Sequence, residues 1–254
     1  VSADQGAQQD AAQQPAGPRP PARRSPGGGV LAAVKETVLV VAVALVVSLV
    51  VKTFLLQAFF IPSQSMEQTL DIGDRVIVSK LTPGPFELHR GDVVVFSDPG
   101  GWLGETAPTR RGAVGTVVAE VLTFVGLLPE DSDDHLIKRV VGLPGDHVVC
   151  CDAQGLITVN DTPVDESAYL AAGAVPSERA FDVVVPEGEL WVMGDNRPES
   201  ADSRYNTDSE PYHGFVPVDL VVGRAHAVVW PLPHWAWLGH QSGFDGVGGV
   251  PGTK

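Results

Sequence analysis

The sequence predicts a mainly β protein: an antiparallel β domain preceded by one transmembrane helix and a disordered N-terminal tail. Three observations predict it. Residues 37–51 carry no charge and are rich in Val, Ala and Leu. Beyond Pro62, short β-branched runs recur between Gly, Pro, Asp and Asn. The first 29 residues hold almost no large apolar side chains.

Residues 1–29 are Ala, Gln, Pro and Gly with three arginines, a composition that buries too little apolar surface to offset the entropy of ordering. They read as a disordered tail. Residues 30–56 read as the anchor. Its charge-free core of 15 residues is shorter than the ~20 needed to cross a bilayer, but Lys35 and Lys52 can snorkel and complete the span. A cleavable export signal fits less well, because the run exceeds an h-region of about 7–15 residues and no Ala-X-Ala follows it. The segments Arg75–Ser79, Asp92–Phe96, His147–Cys150, Leu156–Val159, Phe181–Val185, Leu190–Met193 and Val221–Val229 have the composition and boundaries of strands. They place a β domain over 57–230.

An insert at about 99–134 contains the long apolar stretch Ala113–Leu128. Glu120 near its middle makes a second span costly, so a surface helix packed on the sheet is expected there. Residues 231–254, rich in Trp, Pro and Gly, are expected to form a flexible tail. Trp235 and Trp237 fit either the bilayer interface or edge packing.

Charge is unevenly distributed. Residues 1–59 carry a balance of +2 and the remainder −16, within a total of −14. An acidic domain repels phosphate backbones, so the expectation is no nucleic acid partner. The basic N-terminal side predicts a cytoplasmic N-terminus and a domain outside the plasma membrane, in a single-pass arrangement. Cys150 and Cys151 are adjacent and too few for a zinc cluster. A vicinal disulfide is open to them in an oxidising compartment, but the strain of that ring favours two buried thiols. No metal and no cofactor are expected, and the chain is expected to be a monomer.

Three blocks carry chemistry: Ile61-Pro-Ser-Gln-Ser-Met-Glu-Gln-Thr-Leu70 followed by Gly73-Asp74, Leu136-Ile-Lys-Arg139 running on to Asp146, and Gly194-Asp-Asn-Arg-Pro-Glu-Ser-Ala-Asp-Ser-Arg204. In their order and spacing behind an N-terminal anchor, these blocks resemble the bacterial type I signal peptidases. The resemblance covers residues 37 to about 228, outside the insert-like stretch Pro99–Asp134. It implies a bacterial membrane-bound serine endopeptidase that removes signal peptides from secreted preproteins, cutting after small residues of the Ala-X-Ala type through an acyl-enzyme. By the same resemblance, Ser65 is the nucleophile and Lys138 the general base, with Ser63 and the Ser65 backbone N–H forming the oxyanion hole. Ser200 would hydrogen-bond the lysine amine, Asp202 and Arg204 would fix that segment, and Asp195 would pair with Arg139. By position, Ile61, Pro62, Met66, Leu70, Leu136 and Ile137 are candidates for the substrate pockets. Gln64, Gln68 and Leu136 depart from the family's usual Gly, Pro and aromatic residues.

The chemistry of such a dyad follows from elementary electrostatics. A lysine amine with an ordinary pKa of about 10.4 is protonated at neutral pH and cannot accept a serine proton. Burial against Leu136, Ile137 and Val140 penalises the ammonium and makes the amine a usable base. No histidine is required, and His135 is expected to be a solvated neighbour. Membrane lipid is an expected partner, because only about nine residues separate Lys52 from Pro62. Phe54, Leu55, Leu56, Phe59 and Phe60 would then dip into the interface. Two other readings compete with this one. A regulator with latent Ser/Lys self-cleavage would need a DNA-binding domain where this chain has a tail and an apolar helix. An anchored, non-catalytic β domain would show no acylation of Ser65.

Overall fold

In the computed structural model, residues 27–103 and 134–249 are described. The surface helix expected within 113–128, and all but the last three residues of the expected tail, lie outside the described residues. Helix α1 runs Gly27–Phe54. Its stretch Ala32–Phe54, 23 residues, is long and apolar enough to cross a membrane, and none of its most apolar window is buried inside the protein. The helix residues up to Val43 and the chain from Ala44 onward form separate compact units.

Twelve strands follow among the described residues: β1 Leu56–Phe60, β2 Arg75–Ser79, β3 Val93–Ser97, β4 His135–Gly142, β5 His147–Cys150, β6 Ile157–Val159, β7 Thr162–Pro163, β8 Phe181–Val184, β9 Glu189–Met193, β10 Val216–Pro217, β11 Val221–Trp230 and β12 Ala236–Trp237. The larger sheet has the order β1-β2-β11-β3-β4-β9-β10, with β12 paired to β11; the smaller has the order β7-β6-β5-β8. All of these pairs are antiparallel. The mainly antiparallel β fold expected from the sequence is the fold observed.

Strands β3, β4 and β9 are central in the larger sheet with both faces covered, so β3 and β9 read as almost unbroken hydrophobic runs and β4 as one interrupted by Lys138 and Arg139. Val94, Phe96, Leu136, Val140, Leu190 and Val192 share one core cluster. Val93, Val95 and Ile137 join Phe59, Ile61, Met66 and Leu70 in another. A third cluster, around Trp191, Val148, Ile157 and Tyr169, lies under the smaller sheet. Trp191 is fully buried, with Phe181 at 5.3 Å and Phe215 at 5.4 Å between ring centroids.

Three sequence expectations are corrected. Phe59, expected at a lipid interface, is buried because β1 pairs with β2 along its whole length; alternation along the strand turns Phe59 inward and leaves Leu56 and Phe60 exposed. The segment from 231, expected to be a flexible tail, packs on the domain as far as Phe244, which is buried in the cluster under the smaller sheet. Trp235 and Trp237 are both exposed, and Trp237 pairs with Ala227 of β11. Cys150 and Cys151 form a vicinal disulfide rather than two buried thiols. The peptide between them is cis and brings their Cα atoms to 3.0 Å; only Cys150 is buried, and Cys151 is exposed.

Trp191 fills the space between β8, β9 and the chain at Phe215. Trp191→Ala is expected to lower stability by about 3–5 kcal/mol, the usual range for removing a buried aromatic. Urea unfolding of the detergent-solubilised chain measures it.

Candidate active site

The segment between β1 and β2 turns tightly after Pro62. Thr69 N and Leu70 N both donate to Met66 O, at 3.0 and 2.8 Å, and Glu67 N donates to Gln64 O at 3.0 Å. Met66 and Leu70 are fully buried and hold this turn on the core, with Ser65 immediately before its first anchor. Gln68 has φ 84°, a value closed to proline, whose ring fixes φ near −65°. Its departure from the family's usual proline therefore matches its backbone.

Lys138 lies in β4 opposite Val94 of β3, and Arg139 lies opposite Val93 of β3 and Met193 of β9. Successive strand residues point to opposite faces, so the two cations serve different neighbours. Lys138 is buried and its Nζ lies 2.6 Å from Ser65 Oγ. The amine also donates to Ile137 O at 2.9 Å. Burial pushes its pKa down from 10.5 to about 8, while the carboxylates of Asp202 and Asp195 pull the other way. Ser63 Oγ is 3.4 Å from Ser65 Oγ.

The third sequence block surrounds this pair. Arg139 Nε and Nη2 donate to the two Asp195 oxygens at 2.8 and 2.5 Å, and Nη1 donates to Gly91 O at 2.7 Å. Arg204 forms a similar fork on Asp202, with both bonds at 2.8 Å. The other contact of Asp202 Oδ2 is Gly194 N, which donates to it at 2.9 Å. Asn196 N donates to Ser65 O at 3.1 Å, and Asn196 Nδ2 donates to Gln64 O at 3.0 Å. The ion pairs anticipated for Asp195 and Asp202 are thus present. Ser200 differs: it is buried beside Gly194, but its hydroxyl has no hydrogen-bond partner. The bond expected from it to the Lys138 amine is not made, and that amine is instead held by Ser65 and a main-chain carbonyl.

The six positions expected to line substrate pockets divide into two sets. Ile61, Pro62, Leu136 and Ile137 line a cavity of about 90 Å³ together with Phe59, Ser63, Val95 and Lys138. Met66 and Leu70 do not line it and are core residues instead. Phe60, Leu103 and His135, which the sequence did not single out for this role, complete the wall. His135 is half-buried rather than solvated, its ring 5.4 Å from that of Phe59. Val95 was detectable only through pairing, since it lies opposite Ile137.

The site thus combines a buried amine, a serine hydroxyl within hydrogen-bond reach of it and a small apolar cavity beside them. A family model described as signal peptidase, peptidase S26, matches residues 34–230. A protein named probable signal peptidase I from Mycobacterium leprae (strain TN) is 37% identical over 237 residues, covering 83% of this chain and 81% of that protein. Signal peptidase I of Mycobacterium tuberculosis (strain ATCC 25618 / H37Rv) is 36% identical over 235 residues, or 85% and 76% of the two chains. A solved signal peptidase I structure from Enterococcus faecalis V583 aligns at 23% identity and TM-score 0.33, over 55% of this chain and 97% of that one; so low a score adds nothing to the fold. The chain belongs to the signal peptidase family, peptidase S26. It is a serine endopeptidase of the signal peptidase I type, and its reaction is the removal of signal peptides.

Gly194 touches the Ser65 segment directly. A Cβ at this position would overlap both Ser200 Oγ and the Ser65 carbonyl oxygen. Gly194→Ala is therefore expected to reduce signal-peptide cleavage at least tenfold while far-ultraviolet circular dichroism stays unchanged, a loss that follows from displacing reacting groups by about 1 Å.

Proposed function

We propose that Ser65 and Lys138 are the catalytic dyad and that the chain cleaves preproteins after small residues through an acyl-enzyme. The observation that carries this reading is the 2.6 Å separation between Lys138 Nζ and Ser65 Oγ at an amine whose pKa is pushed down to about 8 by burial. In its neutral form the amine accepts the Ser65 proton as Oγ attacks the scissile carbonyl carbon. The Ser63 hydroxyl and the Ser65 N–H donate to the oxyanion that develops, an arrangement of the kind worth about 3–4 kcal/mol per donor in other acyl-transfer enzymes. As the C–N bond breaks, the Lys138 ammonium returns the proton to the departing amine. Water, deprotonated by the same amine, then hydrolyses the ester and regenerates Ser65.

The preference for small side chains is supported by the cavity of about 90 Å³ beside the dyad, with its apolar wall of Ile61, Leu136, Ile137 and Val95. Anchoring by α1, with a cytoplasmic N-terminus and an extracytoplasmic domain, is supported by the length and apolarity of Ala32–Phe54 and by the +2 balance of residues 1–59. Membrane lipid as a partner of the domain is supported by the exposure of Phe54, Leu55, Leu56, Phe60, Trp235 and Trp237.

Ser65→Ala and Lys138→Ala are each expected to abolish cleavage of a preprotein in detergent while leaving the protein folded; turnover by either variant would refute the dyad. In the wild type, kcat/KM should fall as pH drops below about 8, because protonation removes the base. A flat profile from pH 6 to 9 would count against Lys138. Fluorescence quenching by lipid-borne probes is expected to reach Trp235 and Trp237 in vesicles, and insensitivity would remove the lipid contact.

A further inference from the structure

Two buried residues outside the three sequence blocks, Glu166 and Tyr169, close a hydrogen-bonded chain that reaches both halves of the site. They lie between β7 and β8, in the part of the chain that belongs to the smaller sheet, and both are almost fully buried. Tyr169 Oη donates to Glu166 Oε1 at 2.8 Å. The two Glu166 oxygens accept the Arg197 fork at 2.5 and 3.0 Å. Arg197 Nε in turn donates to Gly194 O at 3.0 Å, and Gly194 is the residue packed on the Ser65 carbonyl. On the other side, the Tyr169 ring covers the Arg139 guanidinium, with Cζ 4.1 Å from the ring centroid. Arg139 follows Lys138 in β4 and holds Asp195. Neither Glu166 nor Tyr169 has a hydrogen bond to Ser65 or Lys138 among the described residues.

We propose that Glu166 and Tyr169 are positioning residues for the cleavage reaction, Tyr169 steadying the lysine side through Arg139 and Glu166 steadying the serine side through Arg197 and Gly194. The inference rests on the Ser/Lys reading of the site. Its electrostatic consequence has a defined sign. Lys138 is surrounded by Asp202 and Asp195, each forked by its own arginine, Arg204 and Arg139, and shares its cavity wall with His135. Asp195 favours the ammonium form, and Arg139 offsets that carboxylate. Once the ring no longer holds Arg139, Asp195 acts on the amine with less compensation, and the base titrates at higher pH.

The test uses the full chain in detergent and a signal-peptide substrate. Profiles of kcat and KM from pH 6 to 10 are recorded for the wild type, Tyr169→Leu, Tyr169→Phe and Glu166→Gln, with a thermal melt of each. Tyr169→Leu and Glu166→Gln are expected to lower kcat at pH 7 by about tenfold with little change in KM, the pattern of a lost transition-state arrangement. In Tyr169→Leu the acid limb should also move to higher pH, whereas Tyr169→Phe keeps the ring over Arg139 and should keep the limb in place. Variants that melt earlier but retain wild-type kcat and an unmoved limb would overturn the proposal and leave a merely structural role. If Tyr169→Leu fails to fold, Glu166→Gln, which keeps the size of the side chain, decides by the same kcat criterion. A wild-type profile without a limb near pH 8 would instead sink the dyad, an outcome read before any variant is compared.

Discussion

The exclusion of water from the Lys138 amine is the constraint on which the rest of the site depends. An exposed lysine is a cation at neutral pH and has no lone pair to offer a serine. Here the amine sits under a fully covered strand, and its pKa falls from 10.5 to about 8. At about 1.4 kcal/mol per unit, that shift costs the folded state on the order of 3 kcal/mol. Below about pH 8 the amine is charged in both states and the full penalty applies. Between about 8 and 10.5 only the unfolded chain holds the proton, so stability rises with pH across that window. The enclosure made by β3, β4 and β9 is what lets the fold carry this cost.

Around that amine the protein has buried an unusual density of charge, and the pairing pattern explains how this is tolerated. Asp195, Asp202 and Glu166 each accept a two-pronged arginine fork. Removing one partner from such a pair would leave an uncompensated buried charge, typically at a cost of about 3–5 kcal/mol. Other bonds of the three arginines go to main-chain carbonyls, Gly91 O, Gly194 O and Arg197 O among them, and to the Thr69 and Ser177 hydroxyls. Gly194, one of these acceptors, packs on the Ser65 carbonyl, so the charges are tied to backbone beside Ser65. Lys138 alone lacks a carboxylate fork, and burial lowers its pKa, whereas at Arg139 and Arg197 the opposing pull of burial is outweighed by the paired carboxylates, which raise theirs.

Much of this was legible in the sequence, and the failures have physical causes. Ser65, Lys138 and the pairs Asp195–Arg139 and Asp202–Arg204 were legible because three blocks resemble the signal peptidase family in order and spacing. The strands from Arg75 onward announced themselves through β-branched runs between turn residues. Strand β1 did not, because Leu56–Phe60 follows an apolar helix without a change of composition. Met66 and Leu70 could not be separated from pocket residues, since an apolar side chain near a nucleophile reads the same whether it faces the core or a cavity. Ser200 looked like a partner of the lysine because of its place in a motif, and only coordinates show its hydroxyl beside Gly194 without a bond. Glu166 and Tyr169 lie 20 and 23 residues after Asp146 and 28 and 25 before Gly194, and their contacts are created by tertiary packing alone.

The seating of Phe244 has a consequence for when the protein can begin to work. Gln241 and Phe244 close over Gly91 so tightly that no side chain would fit there, and the carbonyl of Gly91 is one of the acceptors that hold Arg139. Residues 241–244, which follow all twelve described strands, thus cap a joint between segments made much earlier. A chain that emerges N-terminus first can form its central strands, yet it lacks this last wedge until residue 244 has arrived. The joint that carries this Arg139 acceptor is therefore closed only once residues 241–244 are in place.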